Sequence, residues 1–292
     1  MRTESEIMDL ILNIAKNDNR IRAVQMQGSR TNPKAPKDNF QDYDICYYVN
    51  DILSFKNDSN WINIFGDRLM LQIPKLDQNE HENNIIVYLM LFTDGNRIDL
   101  VLIPIELYKN NNKETEESEA VLLFTKDDVF KPFPPATHKS YYIKPPTESE
   151  YYSVCNSFWW STQYVAKGIF RNELSYVKYF LDKNMREEFH KIIEWYIGQK
   201  TNYSVSSGKY GKYFKLFLDN YQYDMFCKTY VNYDYKNIWD AMFIMCDLFR
   251  DFSIDIAKYN KFIYNNKDDE NMILYLKNVQ NIYNNNNIKS LM

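Results

Sequence analysis

Glycine is scarce in this chain, with seven in 292 residues, and so are cysteine, with four, and histidine, with three. Cys46, Cys155, Cys227 and Cys246 lie far apart with no C-x-x-C pair. That excludes a zinc ribbon or a disulfide framework and leaves reduced core or near-core thiols as the expectation. His81, His138 and His190 fall in different segments without ligand spacing, so a histidine metal site is not expected. Long apolar runs are missing as well. No stretch approaches the about 20 residues that cross a bilayer, and MRTESEIMDL has none of the basic start, apolar middle and small-residue cleavage site of a signal peptide. A cytoplasmic protein without a membrane partner is expected. The chain also lacks a cationic excess. Its net charge is −4, whereas nucleic-acid phosphates are held by a strong Lys/Arg surplus on one face. A nucleic-acid partner is therefore not expected, and a small or cationic substrate suits the charge better.

Hydrophobic residues make up 45% and charged residues 25%, the balance of a globular chain able to bury a sizeable core. At roughly 150 residues per domain, the length suggests two. The boundary is expected in KPFPPATHKSYYIKPP (131–146), whose five prolines suit neither helix nor sheet interiors. This gives domains over 1–135 and 136–292. In the first, Thr3 and Glu6 form a capping box for a helix over about 4–16. IRAVQMQ reads as a strand that runs straight into Gly28 and Ser29. DYDICYYVN alternates, with Tyr43, Ile45, Tyr47 and Val49 on one face and Asp42, Asp44 and Cys46 on the other. A strand around Asn84 to Phe92, the turn TDGN and the strand RIDLVLIPI follow as a hairpin. Beyond the prolines the periodicity is helical, over roughly 148–170, 172–198, 211–230 and 236–265. The Asn-rich tail KNVQNIYNNNNIKSLM is expected to fray, with Ile282 and Tyr283 as its docking residues.

Asp42 and Asp44 stand at positions i and i+2 of one strand, hence on one face about 7 Å apart. Asp99 is the one acid in an apolar strand, and nothing in the adjoining DLVLIPI offers it a partner. Like charges gathered on one face are costly unless a cation resolves them. Mg²⁺, which takes oxygen ligands and keeps phosphates in its shell, would do so. At the preceding strand end, Gly28 permits close approach of backbone N–H groups to an anion and Ser29 adds a hydroxyl. A metal-bridged phosphate beside a D-x-D strand suggests nucleotidyl transfer.

The order of these motifs resembles the nucleotidyltransferase superfamily of DNA polymerase β, whose pattern is G-S, then D-x-D, then an acid on a later strand. The chain is more closely similar to the aminoglycoside 6-adenylyltransferases, through RIRAVQMQGSRTN, DNFQDYDICYYV, WINIFGDRLM, DGNRIDLVLIPI and YVAKGIFRNE. The resemblance implies an α/β (α+β) nucleotidyltransferase domain with a mixed sheet, then an all-α helical bundle, with both substrates in the cleft between them. It implies AMP transfer from ATP to a hydroxyl of an aminoglycoside, streptomycin above all, conferring resistance and releasing pyrophosphate. Asp42 and Asp44 would bind Mg²⁺, and Asp99 would be a third ligand or the base. Gly28, Ser29 and Lys167 would hold the triphosphate, with Arg30 beside ATP. Another acceptor, a lincosamide or a protein hydroxyl, and a nucleotide-binding module without turnover are the competing readings. A monomer is favoured. Trp159 and Trp160 are both expected in the core, and Glu173, Glu187 and Glu188 on solvated helix faces.

Overall fold

The computed structural model describes residues 1–33, 35–58, 60–74, 84–110, 120–128, 130 and 139–289. His81, His138 and residues 131–138 of the proline-rich segment lie outside them. The chain divides into two compact units, Met1–Ser140 and Tyr141–Met292.

Helix α1 (Glu4–Asn17) opens with the expected capping box. The Glu6 N–H donates to the Thr3 hydroxyl, and the Thr3 N–H donates to the Glu6 carboxylate at 2.7 Å. Ile7, Ile11 and Ala15, at helical spacing, form its buried stripe. The strands are β1 (Ile21–Gln27), β2 (Tyr43–Val49), β3 (Arg68–Gln72), β4 (Ile86–Phe92), β5 (Arg97–Pro104) and β6 (Ala120–Thr125). They form one sheet in the order β3-β4-β5-β2-β1-β6. The β2–β5 pair is parallel and the other pairs antiparallel, so the sheet is mixed. The α1 stripe joins Val24, Ile45, Tyr47, Met90, Leu100 and Leu102 in one core. The Tyr47 hydroxyl donates to the Ile11 carbonyl at 2.7 Å, tying β2 to the helix. On the other face Ala23, Tyr48, Ile105 and Phe130 form a smaller cluster. With the larger core on one face of β2 and this cluster on the other, the body of the strand is covered on both faces and Cys46 is buried like its apolar neighbours.

The second unit is helical. Helix Glu148–Phe170 begins with its own capping box, Thr147 and Glu150. The periodicity read over 172–198 is one path with a π-helical turn, Phe180–Met185, between Leu174–Tyr179 and Arg186–Lys200. The segment 211–230 breaks at Leu218 into two short helices, the second, Asn220–Lys228, capped by Asp219. Helix Tyr235–Asn260 supplies Trp239, Met242, Met245, Phe249 and Phe252 to the core, and Phe249 stacks on Phe158 with ring centroids 3.7 Å apart. Contrary to the expected fraying, the tail is helical over Asn266–Lys289. Leu276 is fully buried, and Met272, Ile273, Val279 and Tyr283 pack on the same core, while Ile282 stays exposed. Tertiary contact thus overrides the poor helix propensity of asparagine. Among the described residues no helix is long and apolar enough to cross a membrane.

Candidate active site

Three strands position the acids. Antiparallel pairing sets Gln27 opposite Asp44, and parallel pairing sets Asp44 opposite Asp99. Asp42, two residues before Asp44, emerges on the same face. One carboxylate oxygen from each of Asp42, Asp44 and Asp99 lies within 4.8 Å of the others. The D-x-D spacing and the isolated Asp99 therefore meet at one point, each acid being partly buried.

The turn leaving β1 closes over this point. Residues Gly28–Thr31 form a short 3₁₀ turn, held by the Thr31 hydroxyl donating to the Gly28 carbonyl at 2.9 Å. Gly28 has φ +77°, and a Cβ placed there would stand 2.0 Å from Asp44 Oδ2. Glycine is required twice over, by the left-handed backbone and by the carboxylate against it. The Ser29 hydroxyl, half-buried, accepts from the Gln41 side chain at 3.4 Å.

Burial pushes the Asp44 carboxyl up to about 6, with the Asp42 and Asp99 charges adding to the effect and Arg97 opposing it. Arg97 was missing from the sequence reading. Its Nε and Nη2 donate to the two oxygens of Asp99 at 2.7 and 2.6 Å, and its Nη1 lies 3.7 Å from Asp42. Asp99 thus has a bidentate partner, contrary to the expectation drawn from DLVLIPI. The signal lay on the N-terminal side, where Arg97 and Asp99 are again i and i+2 on one strand face.

Arg30, expected beside the nucleotide, spends its donors within the unit. It donates to the carbonyls of Asp42 and Gln41 at 3.1 and 2.9 Å, pairs with Glu4 at 3.3 Å and lies 3.7 Å over the Tyr43 ring. Its side chain is only 10% exposed. This geometry makes Arg30 a clamp on the backbone that carries Asp42.

The model of the family described as Streptomycin adenylyltransferase matches residues 1–279. The chain belongs to the streptomycin adenylyltransferase family. It is 38% identical over 274 residues to the aminoglycoside 6-adenylyltransferase of Bacillus subtilis (strain 168), covering 92% of this chain and 95% of that protein. It is also 38% identical over 259 residues to the aminoglycoside 6-adenylyltransferase of Campylobacter jejuni, covering 88% and 89%. A crystal structure of an aminoglycoside 6-adenyltransferase from Bacillus subtilis aligns at 32% identity over 96% of this chain and 99% of that one, with a TM-score of 0.48. As a member of the adenylyltransferase family the chain is a nucleotidyltransferase enzyme.

The donor set of this family member fits a magnesium ion. It offers three hard carboxylate oxygens that lie within 4.8 Å of one another, the donor type that magnesium takes. In the helical unit, Lys167 lies on Glu148–Phe170 with its ammonium 5.2 Å from the Tyr164 ring centroid. Gly168 beside it lets the next helix approach, since a Cβ there would meet Val177 at 2.7 Å. Trp159 is buried and donates to the Tyr264 hydroxyl at 3.1 Å. Trp160, also expected in the core, is 61% exposed, because adjacent helical residues point about 100° apart. Cys227 likewise departs from expectation in being exposed, whereas Cys46, Cys155 and Cys246 are buried thiols. His190 is packed against Phe214 and Phe226, and burial lowers its pKa to about 4.

Proposed function

We propose that the chain transfers AMP from ATP to a hydroxyl of streptomycin, at the 6-position, releases pyrophosphate and so confers resistance. The convergence of the Asp42, Asp44 and Asp99 oxygens within 4.8 Å of one another, in a chain of this family, carries the reading. Asp42, Asp44 and Asp99 would hold Mg²⁺, which when bound neutralises phosphate oxygens and orients the attacking and leaving groups. Gly28 and Ser29 would receive the triphosphate through backbone N–H groups and the hydroxyl, and Lys167 would add a cation to it. Arg30 would keep Asp42 in register rather than touch ATP. The acceptor oxygen forms a bond to the α-phosphorus, the bond from that phosphorus to the β-phosphate oxygen breaks, and Asp99 takes the acceptor's proton.

The family and the relatives' names favour an aminoglycoside over a lincosamide or a protein hydroxyl. The intact acid cluster favours turnover over binding alone. The test is mass spectrometry of streptomycin, spectinomycin and kanamycin after incubation with the protein, ATP and Mg²⁺. An added AMP on streptomycin, with pyrophosphate released, is expected. AMP on another of the three, or on none while pyrophosphate still forms, overturns the acceptor, and no pyrophosphate with any of them overturns the reaction.

A further inference from the structure

Arg97 stands at the mouth of the acid cluster, and the proposed function leaves it without a role. Its fork engages both oxygens of Asp99 at 2.7 and 2.6 Å and lies 3.7 Å from Asp42. Yet its side chain is 46% exposed, against 17% for Asp99. The carboxylate is therefore held from the solvent side by a group with room to leave. A carboxylate that gives both oxygens to a guanidinium cannot also give one to a cation at full strength, and a guanidinium beside a divalent ion is repelled by it.

We propose that Arg97 and the metal are alternative partners of Asp99: metal entry displaces the guanidinium, which then takes the phosphates of the incoming nucleotide. The proposal rests on the reading of Asp42, Asp44 and Asp99 as metal ligands. It accounts for three features together. Arg97 shares a strand face with Asp99 at i and i+2, so a rotation of its own side chain suffices to release the acid. Its planar fork suits a phosphate as well as it suits a carboxylate. The side facing solvent is the side from which a polyanion would arrive. In this arrangement Arg97 keeps three clustered acids from facing one another uncompensated, and metal and nucleotide arrive as a coupled pair.

The experiment measures Mn²⁺ binding, by the paramagnetic resonance signal of the unbound ion, in wild type, Arg97→Gln, Arg97→Lys and Asp44→Asn without nucleotide. It then measures the affinity for ATP with Mg²⁺ in the same proteins. Arg97→Gln is expected to bind Mn²⁺ about tenfold more tightly and ATP with Mg²⁺ about tenfold more weakly. Arg97→Lys, which keeps the charge and loses the fork, should fall between. Mn²⁺ binding that Asp44→Asn abolishes but Arg97→Gln leaves unchanged or weakened overturns the exchange while sparing the metal reading. Mn²⁺ binding that Asp44→Asn does not alter overturns both. Tighter Mn²⁺ with unchanged ATP affinity overturns the transfer to phosphate. A wild-type circular-dichroism spectrum and a single cooperative unfolding transition in Arg97→Gln exclude misfolding as the cause of any change.

Discussion

Replacing Asp44 by Asn should make the metal-free protein more stable at neutral and alkaline pH while destroying its activity. The carboxyl is pushed from its ordinary 3.8 to about 6 by burial and by Asp42 and Asp99. A folded-state value raised in an acid means that the folded chain binds a proton more tightly than the unfolded one. Stability is therefore lost as pH rises from about 4 to about 6, and the full cost is present above about pH 6. At full weight the displacement corresponds to about 3 kcal/mol. Asp44 is only partly buried, so solvent screening reduces this to about 1–2 kcal/mol. The amide resembles the protonated acid in size and charge, so the variant escapes the cost. Urea unfolding in the presence of a chelator should find Asp44→Asn more stable by that amount at pH 8 and equal to wild type near pH 4. Adding Mg²⁺ should stabilise wild type and leave the variant unchanged, because a ligand that binds only the folded state stabilises it. Turnover should fall by roughly a hundred- to thousandfold. A variant less stable than wild type at pH 8, or a difference that does not shrink on acidification, would refute the electrostatic account, and turnover within tenfold of wild type would refute the metal assignment.

In Gly28→Ala, a Cβ 2.0 Å from Asp44 Oδ2 on a backbone at φ +77° must displace the carboxylate. Stability should drop by about 1–3 kcal/mol and turnover by about a hundredfold, and wild-type turnover would detach the turn from the site. Asp99→Asn distinguishes a base from a ligand: a base lost leaves ATP and Mg²⁺ affinity intact while single-turnover AMP transfer fails, whereas a ligand lost weakens both. Unchanged values for both would remove Asp99 from the site. Lys167→Ala should reduce the rise in melting temperature that ATP with Mg²⁺ produces, and an unaltered rise would return Lys167 to the solvated face of its helix.

Much of the site was legible because its parts are local. Positions i and i+2 of a strand share a face, so DYD announces a carboxylate pair wherever that strand lies, and the capping box at Thr3 announces a helix start within a few residues. The order of G-S, D-x-D and a later acid carried the family resemblance. The neighbours of each strand were not legible, because pairing between distant segments leaves no period in either one. Only the parallel alignment of β2 with β5 sets Asp99 opposite Asp44, and only the β1–β2 register sets Gly28 against the Asp44 carboxylate. Strands β3 and β6 went unread because, as edge strands, they carry no regular burial alternation. The partners of Arg30 and Arg97 were illegible for the same reason. A guanidinium reaches far enough to meet any of several partners, and the fold turned one onto the backbone of Gln41 and Asp42 and the other onto Asp99. Sequence alone determined which residues could do this chemistry. The tertiary structure decided which of them meet, since a strand's period specifies its faces and only packing specifies its neighbours.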